Sequence, residues 1–191
     1  IKRTRPDCVI FNQFEEFGNA IWHYHITGAV IDEIFSRLNA SGSRLRLSAY
    51  ISATGSAGTI AAGDFLRTKY PQLRVIATEA LQCPTLLRCG FGDHRIEGIG
   101  DKHIPWIHNV RNTDMVVAID DAQCLALMRL FNEHAGKQFL ARIVQASVLD
   151  KLHLVGISGI CNLVSAIKAS KYYEMTSRDV IFIPLTDSMQ L

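Results

Sequence analysis

The sequence predicts an α/β fold: a mainly parallel, twisted sheet with helices on both faces. Two observations carry this. Short apolar or β-branched runs alternate with longer segments of helical period, and the separations leave room for crossover helices. The stretch SATGSAGTIAAG, residues 52–63, also places clustered glycines between an apolar run and an amphipathic one, as at a strand-to-helix turn.

Taken in chain order, Cys8–Phe11 reads as a first short strand and Ile21–Leu38 as a helix, ended by the Gly/Ser loop at residues 39–43. Leu47–Ala53 follows as a strand and Gly58–Lys69 as its crossover helix. Arg74–Thr78 and Met115–Ile119 are the next strands. Asp120 and Asp121 sit where a helix over Asp121–Phe131 needs its N-cap. Gly159–Ser170 is a helix and Val180–Pro184 a last strand. Residues 82–112, including CPTLLRCGFGDHRIEGIGDKHIPWIHN, are rich in Gly, Pro and His and lack regular period; a loop this long in a compact domain is expected to be functional.

With 191 residues, 48% of them hydrophobic, residues 1–191 suffice for a single domain or one large lobe of a bigger fold. The formal charge of +2 gives no electrostatic case for nucleic acid or an anionic membrane. No apolar run is long enough to span a bilayer. The five cysteines are irregularly spaced without a CxxC pair, which suggests neither a zinc site nor a disulfide framework and predicts a reducing cytoplasmic setting. The opening IKRTRPD and closing TDSMQL both read as cuts through a longer protein.

In a parallel sheet, ligands sit at the carboxyl ends of the strands. A helix beginning near Ala57–Thr59 aims its free N–H groups and the positive end of its dipole into that crevice, which suits a phosphate. Gly55 and Gly58 allow a tight turn and close approach, while Ser56 and Thr59 add hydroxyls. The turn matches neither GxxxxGK[ST] nor GxGxxG. Taken alone, glycines at a strand–helix junction more often serve packing of backbone on backbone.

Five ordered landmarks then carry a resemblance. NQFEEFGNAIWHYHITG (residues 12–28) resembles the segment of cysteine synthases and cystathionine β-synthases that runs Gln-Phe, Asn-Pro-Ala-Asn-Pro, His and Thr-Thr-Gly, matching at Gln13, Phe14, Asn19, His23, Thr27 and Gly28. GSAGTI resembles that family's Gly-Thr-Gly-Gly-Thr-Ile phosphate loop, and HRIEGIGDKHIP its His-Lys-Ile-Gln-Gly-Ile-Gly-Ala-Gly-Phe-Ile-Pro. GISGICN and IPLTDSMQL are similar to its Gly-Ile-Ser-Ser-Gly and Pro-Asp-Ser segments. The resemblance implies the larger lobe of a pyridoxal 5′-phosphate enzyme of the tryptophan-synthase-β fold type. It implies that Gly55, Ser56, Ala57, Gly58 and Thr59 hold the cofactor phosphate and that Ser188 faces the pyridine nitrogen. By the same resemblance Gln13 lies near the substrate carboxylate and Gly98 and Gly100 line the substrate floor. The implied reaction is β-elimination or β-replacement on a small amino acid, in an assembly that in this family is commonly a homodimer.

The departures matter as much. Ala57 stands where the family has Gly, which a negative φ would accommodate. Asp101, Lys102 and His103 replace Ala-Gly-Phe, so specificity is expected to differ from cysteine synthase. Gly159 and Ile160 replace Ser and Gly. None of the seven lysines, Lys2, Lys69, Lys102, Lys137, Lys151, Lys168 and Lys171, lies in the family's Ser-x-Lys motif, so no catalytic Schiff-base Lys is found in this chain. The expectation is that an amino-terminal lobe or partner chain supplies it. The alternative is a non-catalytic binding subunit, or pseudoenzyme, that keeps the phosphate pocket without the Lys.

Overall fold

The computed structural model describes residues 3–40 and 42–189. Helix α1 (Phe17–Trp22) runs through a π-helical turn (His23–Thr27) into α2 (Gly28–Asn39). Strand β1 (Arg46–Ala53), helix α3 (Ala61–Lys69) and strand β2 (Arg74–Ala80) form the first βαβ unit. A short helix α4 (Thr85–Arg88) opens the long loop, followed by β3 (Met115–Ile119), α5 (Asp121–Asn132), α6 (His134–Leu140) and α7 (Ala146–Leu149). The long helix α8 (Ile157–Tyr172) leads to the last strand, β4 (Asp179–Phe182). The strands form one parallel sheet in the order β3-β2-β1-β4, with Ile51 beside Ile76, Ala77 beside Val116 and Tyr50 beside Phe182.

Both faces of the sheet are covered, as expected for parallel strands joined by crossover helices. Along β1 and β2, Tyr50, Val75 and Ala77 pack with Ile31 and Phe35 of α2 and Leu66 of α3. The alternate residues Ala49, Ile51 and Ile76 pack on the other side with Ala169 of α8. Period-two alternation within an almost wholly buried run is therefore the reason these strands are apolar on both faces. Each buried branched side chain contributes roughly 1.5–3 kcal/mol. Gly63 brings α3 close to the sheet, because a side chain there would meet Val75 at 2.8 Å. Asp120 is the N-cap of α5 as expected, accepting from Ala122 N–H.

The expected strand at Cys8–Phe11 is absent. Val9 and Phe11 are 78% and 92% exposed, and no neighbouring strand offers that segment a ladder. Four apolar residues give a strand tendency; only a partner edge makes a strand. Of the apolar residues in the long loop, Phe91 and Trp106 are exposed, while Ile107 joins the core. Among the described residues no helix is long and apolar enough to cross a membrane.

Candidate functional site

The carboxyl end of β1 leads directly into the glycine turn. Thr54 N–H donates to Thr78 O (2.8 Å) and Thr54 O accepts from Gly100 N–H (2.9 Å), so the turn is held between β2 and the long loop. Its far side is tied to the sheet by Tyr50, whose buried hydroxyl donates to Thr59 O at 2.9 Å. From residue 55 to residue 60, among the described residues, no backbone N–H has an intramolecular acceptor. Six successive main-chain donors have no intramolecular partner, in a stretch where Ala57, Gly58 and Ile60 are buried residues, and depart from the rule that backbone amides in such places are paired. They stand at the amino end of α3, where the helix dipole adds partial positive charge.

Ala57 has φ +63°, in the left-handed region. The condition of a negative φ is thus not met: alanine has taken a glycine conformation, which costs about 1–2 kcal/mol. The reward is geometric. A left-handed residue among ordinary ones curls successive N–H groups toward a common centre, the arrangement that cradles anions.

The glycines themselves are set by protein neighbours. A side chain at Gly58 would overlap the Asn19 amide, and one at Gly55 would press on Gly98 O at 3.2 Å. Packing therefore demands glycine at Gly58 unless the Asn19 amide moves, and favours it at Gly55. Asn19 also reaches the turn by hydrogen bonding, with Nδ2 donating to Ser56 Oγ at 3.0 Å and to Gln13 O at 3.3 Å.

A cavity of about 70 Å³ lies beneath the turn, bounded by Ser52, Gly55, Ser56, Ala57, Thr59, Gly98, Ser158, Asn162 and Thr186. Asn162 braces its floor. Its Oδ1 accepts from Ala53 N–H (2.6 Å) and its Nδ2 donates to Pro184 O (3.0 Å), joining the ends of β1 and β4 just past their ladder. The Asp187 carboxylate caps α8, accepting from Ser158 Oγ (2.8 Å), Ser158 N–H (3.2 Å) and Gly159 N–H (3.4 Å). The Ser158 and Thr186 hydroxyls bond each other at 3.1 Å.

The predicted site residues divide into groups. Gly55, Ser56, Ala57, Thr59 and Gly98 meet at the cavity, and Gly58 completes the turn. Ser188 lies instead on a wider cleft of about 720 Å³, with His94, Gly98 and Met128, while Thr186, two residues earlier, walls the small cavity. Gly100, at φ +83°, lines a recess with Thr54, Glu79 and His108, and packs on the His94 ring. Gly98, at φ +79°, leaves open space where a side chain would be. Gln13 is exposed and reaches the turn through its carbonyl, which accepts from Asn19. Sequence reasoning missed the bracing by Asn162 and the placement of Thr186. An Ile-Pro-x-Thr frame directly after the strand was the available signal for Thr186.

The ionisable groups near the turn are buried ones. Desolvation raises the Glu79 carboxyl above its ordinary value, opposed by hydrogen bonds from Leu86 and Leu87 N–H (2.8 and 3.0 Å). Burial lowers His108, whose Nε2 bonds Thr113 Oγ1 at 3.0 Å, and lowers His23, whose Nδ1 bonds Thr27 Oγ1 at 2.9 Å. No described lysine borders the cavity: Lys69 pairs with Asp32, and Lys102 stands over the Phe91 ring at 5.7 Å. Lys2 lies outside the described residues.

Comparison with known proteins bears on this geometry. Cysteine synthase B of Campylobacter jejuni is 28% identical over 121 residues, covering 63% of this chain and 38% of that protein. Cystathionine β-synthase of Saccharomyces cerevisiae aligns with all of this chain at 22% identity, over 35% of its own length. The chain is a homologue of these pyridoxal phosphate enzymes. A hydrogen-sulfide-producing enzyme from Fusobacterium nucleatum has the same fold, with a TM-score of 0.77, 25% identity and coverage of 99% of this chain and 50% of that one. The O-acetylserine-dependent cystathionine β-synthase of Helicobacter pylori superposes over 93% of this chain with a TM-score of 0.69. No family model matches the chain. The chain thus spans between about a third and half the length of these relatives. Its parallel sheet is that of their α/β fold.

Proposed function

We propose that this chain is the phosphate- and ring-binding lobe of a pyridoxal-phosphate enzyme that performs β-elimination or β-replacement on a small amino acid. The observation that carries the proposal is the run of unpaired N–H donors at residues 55–60, curled by left-handed Ala57 at the mouth of α3. A phosphate dianion satisfies those donors, and homologues across this chain use that cofactor. When bound, pyridoxal phosphate supplies an electron-withdrawing ring that stabilises negative charge at the substrate α-carbon.

The chain's own residues then have separate tasks. The turn anchors the phosphate, with the Ser56 and Thr59 hydroxyls beside the N–H groups. Asn162 keeps the ends of β1 and β4 at a fixed spacing, so the ring meets a rigid wall. A hydroxyl from the segment after β4 would face the ring nitrogen: Ser188 by resemblance, or Thr186 by its place on the cavity wall. A hydroxyl, unlike a carboxylate, does not enforce a protonated nitrogen, which favours elimination over transamination. Gln13 lies on the substrate-carboxylate side, and Gly98 and Gly100 keep the floor clear. The amine that holds the cofactor aldehyde and moves the α-proton comes from outside this chain, in a companion lobe or subunit. That no described lysine lines the cavity fits this part of the reading and fits equally a binding subunit without the amine.

Borohydride reduction of the full-length, cofactor-loaded protein tests it. Peptide mapping is expected to find the pyridoxyl label on one lysine outside residues 1–191 and on none within them. A label on Lys102 overturns the lobe reading, because a loop lysine beside Asp101 would then hold the cofactor. Cofactor bound without any reducible lysine favours the binding-subunit alternative.

A further inference from the structure

We infer that Asn19 is a positioning residue for the phosphate site: it turns the Ser56 hydroxyl into a donor aimed at the anion. The inference rests on the cofactor reading above and assigns a task to a residue from a separate element, α1. Its first step is the orientation of the Asn19 amide. Nδ2 lies within hydrogen-bond distance of both Ser56 Oγ and Gln13 O. A main-chain carbonyl can only accept, so the NH2 end of the amide faces Gln13 O and therefore faces Ser56 as well. Ser56 Oγ must then accept from Asn19, and its own proton points elsewhere.

That proton has no acceptor among the described residues, and Ser56 lies on the cavity wall. The hydroxyl thus joins the N–H groups of residues 55–60 as one more donor on the same side. The opposite arrangement, with Asn19 Oδ1 accepting from Ser56, would turn the proton away and present lone pairs to an incoming anion. The amide is held in place by packing too, since it fills the space that any side chain at Gly58 would need. One side chain therefore fixes the turn's shape at Gly58 and its donor polarity at Ser56.

The test uses the full-length apoprotein and 4′-deoxypyridoxine 5′-phosphate, which keeps the phosphate and lacks the aldehyde, so affinity reads the phosphate grip alone. Asn19→Ala and Ser56→Ala are each expected to weaken binding about fivefold, the worth of one neutral hydrogen bond. The double variant is expected to be no weaker than Asn19→Ala alone, because the donor polarity that Asn19 sets acts through Ser56. The 31P shift of the bound probe is expected to move alike in both. Asn19→Asp reverses the bond: its carboxylate takes the Ser56 proton and faces the anion, and affinity is expected to fall by about tenfold or more. This variant, and Ser56→Ala, keep the test valid should Asn19→Ala not fold. Additive losses in the double variant, or wild-type affinity and 31P shift in Asn19→Asp, overturn the inference while leaving the cofactor reading intact. Failure of the wild-type protein to bind the probe overturns both.

Discussion

Ala57 shows how a single residue can contradict its type and still serve the site. Replacing a buried alanine by glycine ordinarily forfeits a methyl group, about 0.8 kcal/mol, and adds unfolded-state freedom worth about 0.4–1 kcal/mol. At Ala57 those losses are met by release of the left-handed strain, about 1–2 kcal/mol. Ala57→Gly is therefore expected to be near neutral in chemical denaturation. Ala62→Gly, also a buried alanine but inside α3, is expected to cost about 1.5 kcal/mol or more. Equal costs at the two positions would show that Ala57 carries no strain. The sequence marked this residue as the departure from a glycine pattern, yet gave no access to its φ, which depends on how Asn19 and Gly98 hold the turn from outside.

At the scale of elements, the segment that follows β4 is the most informative. It leaves the sheet at Phe182, is gripped by Asn162 at Pro184, and is clamped to the start of α8 by Asp187. Between those two grips stands Thr186, on the cavity wall; beyond them stands Ser188, on the outer cleft. Thr186→Val removes a hydroxyl at nearly constant shape, and Ser188→Ala does the same at the other position. The geometry predicts that Thr186→Val shifts the absorption spectrum of bound cofactor and slows turnover, with phosphate affinity lowered by about 1 kcal/mol at most. Ser188→Ala is expected to leave the spectrum unchanged; the reverse pattern would assign the ring to Ser188. Several regular elements were readable from period: Met115–Ile119 is the expected strand to the residue, and β1 and α8 differ from expectation only at their ends, whereas the short helices α4, α6 and α7 were not expected. Cys8–Phe11 was not readable, because strand formation there depends on a partner edge that local sequence does not encode. Thr186's place on the cavity wall was obscured because the Asp-Ser pair offered a closer match in type.

The whole molecule joins these features through its topology. A parallel sheet with order β3-β2-β1-β4 puts β1 in the interior, so the loop after β1 is flanked by β2 and β4 and covered by the long loop. The turn is thereby held on several sides while its N–H groups stay unpaired, which is an expensive arrangement in the absence of a ligand. Amide-resolved NMR of the 15N-labelled protein titrated with 4′-deoxypyridoxine 5′-phosphate measures this claim directly. The account predicts downfield shifts of the amide protons of residues 55–60, as they gain an anionic acceptor, larger than any elsewhere in the chain. Saturable binding of the probe with those amides unmoved would contradict it.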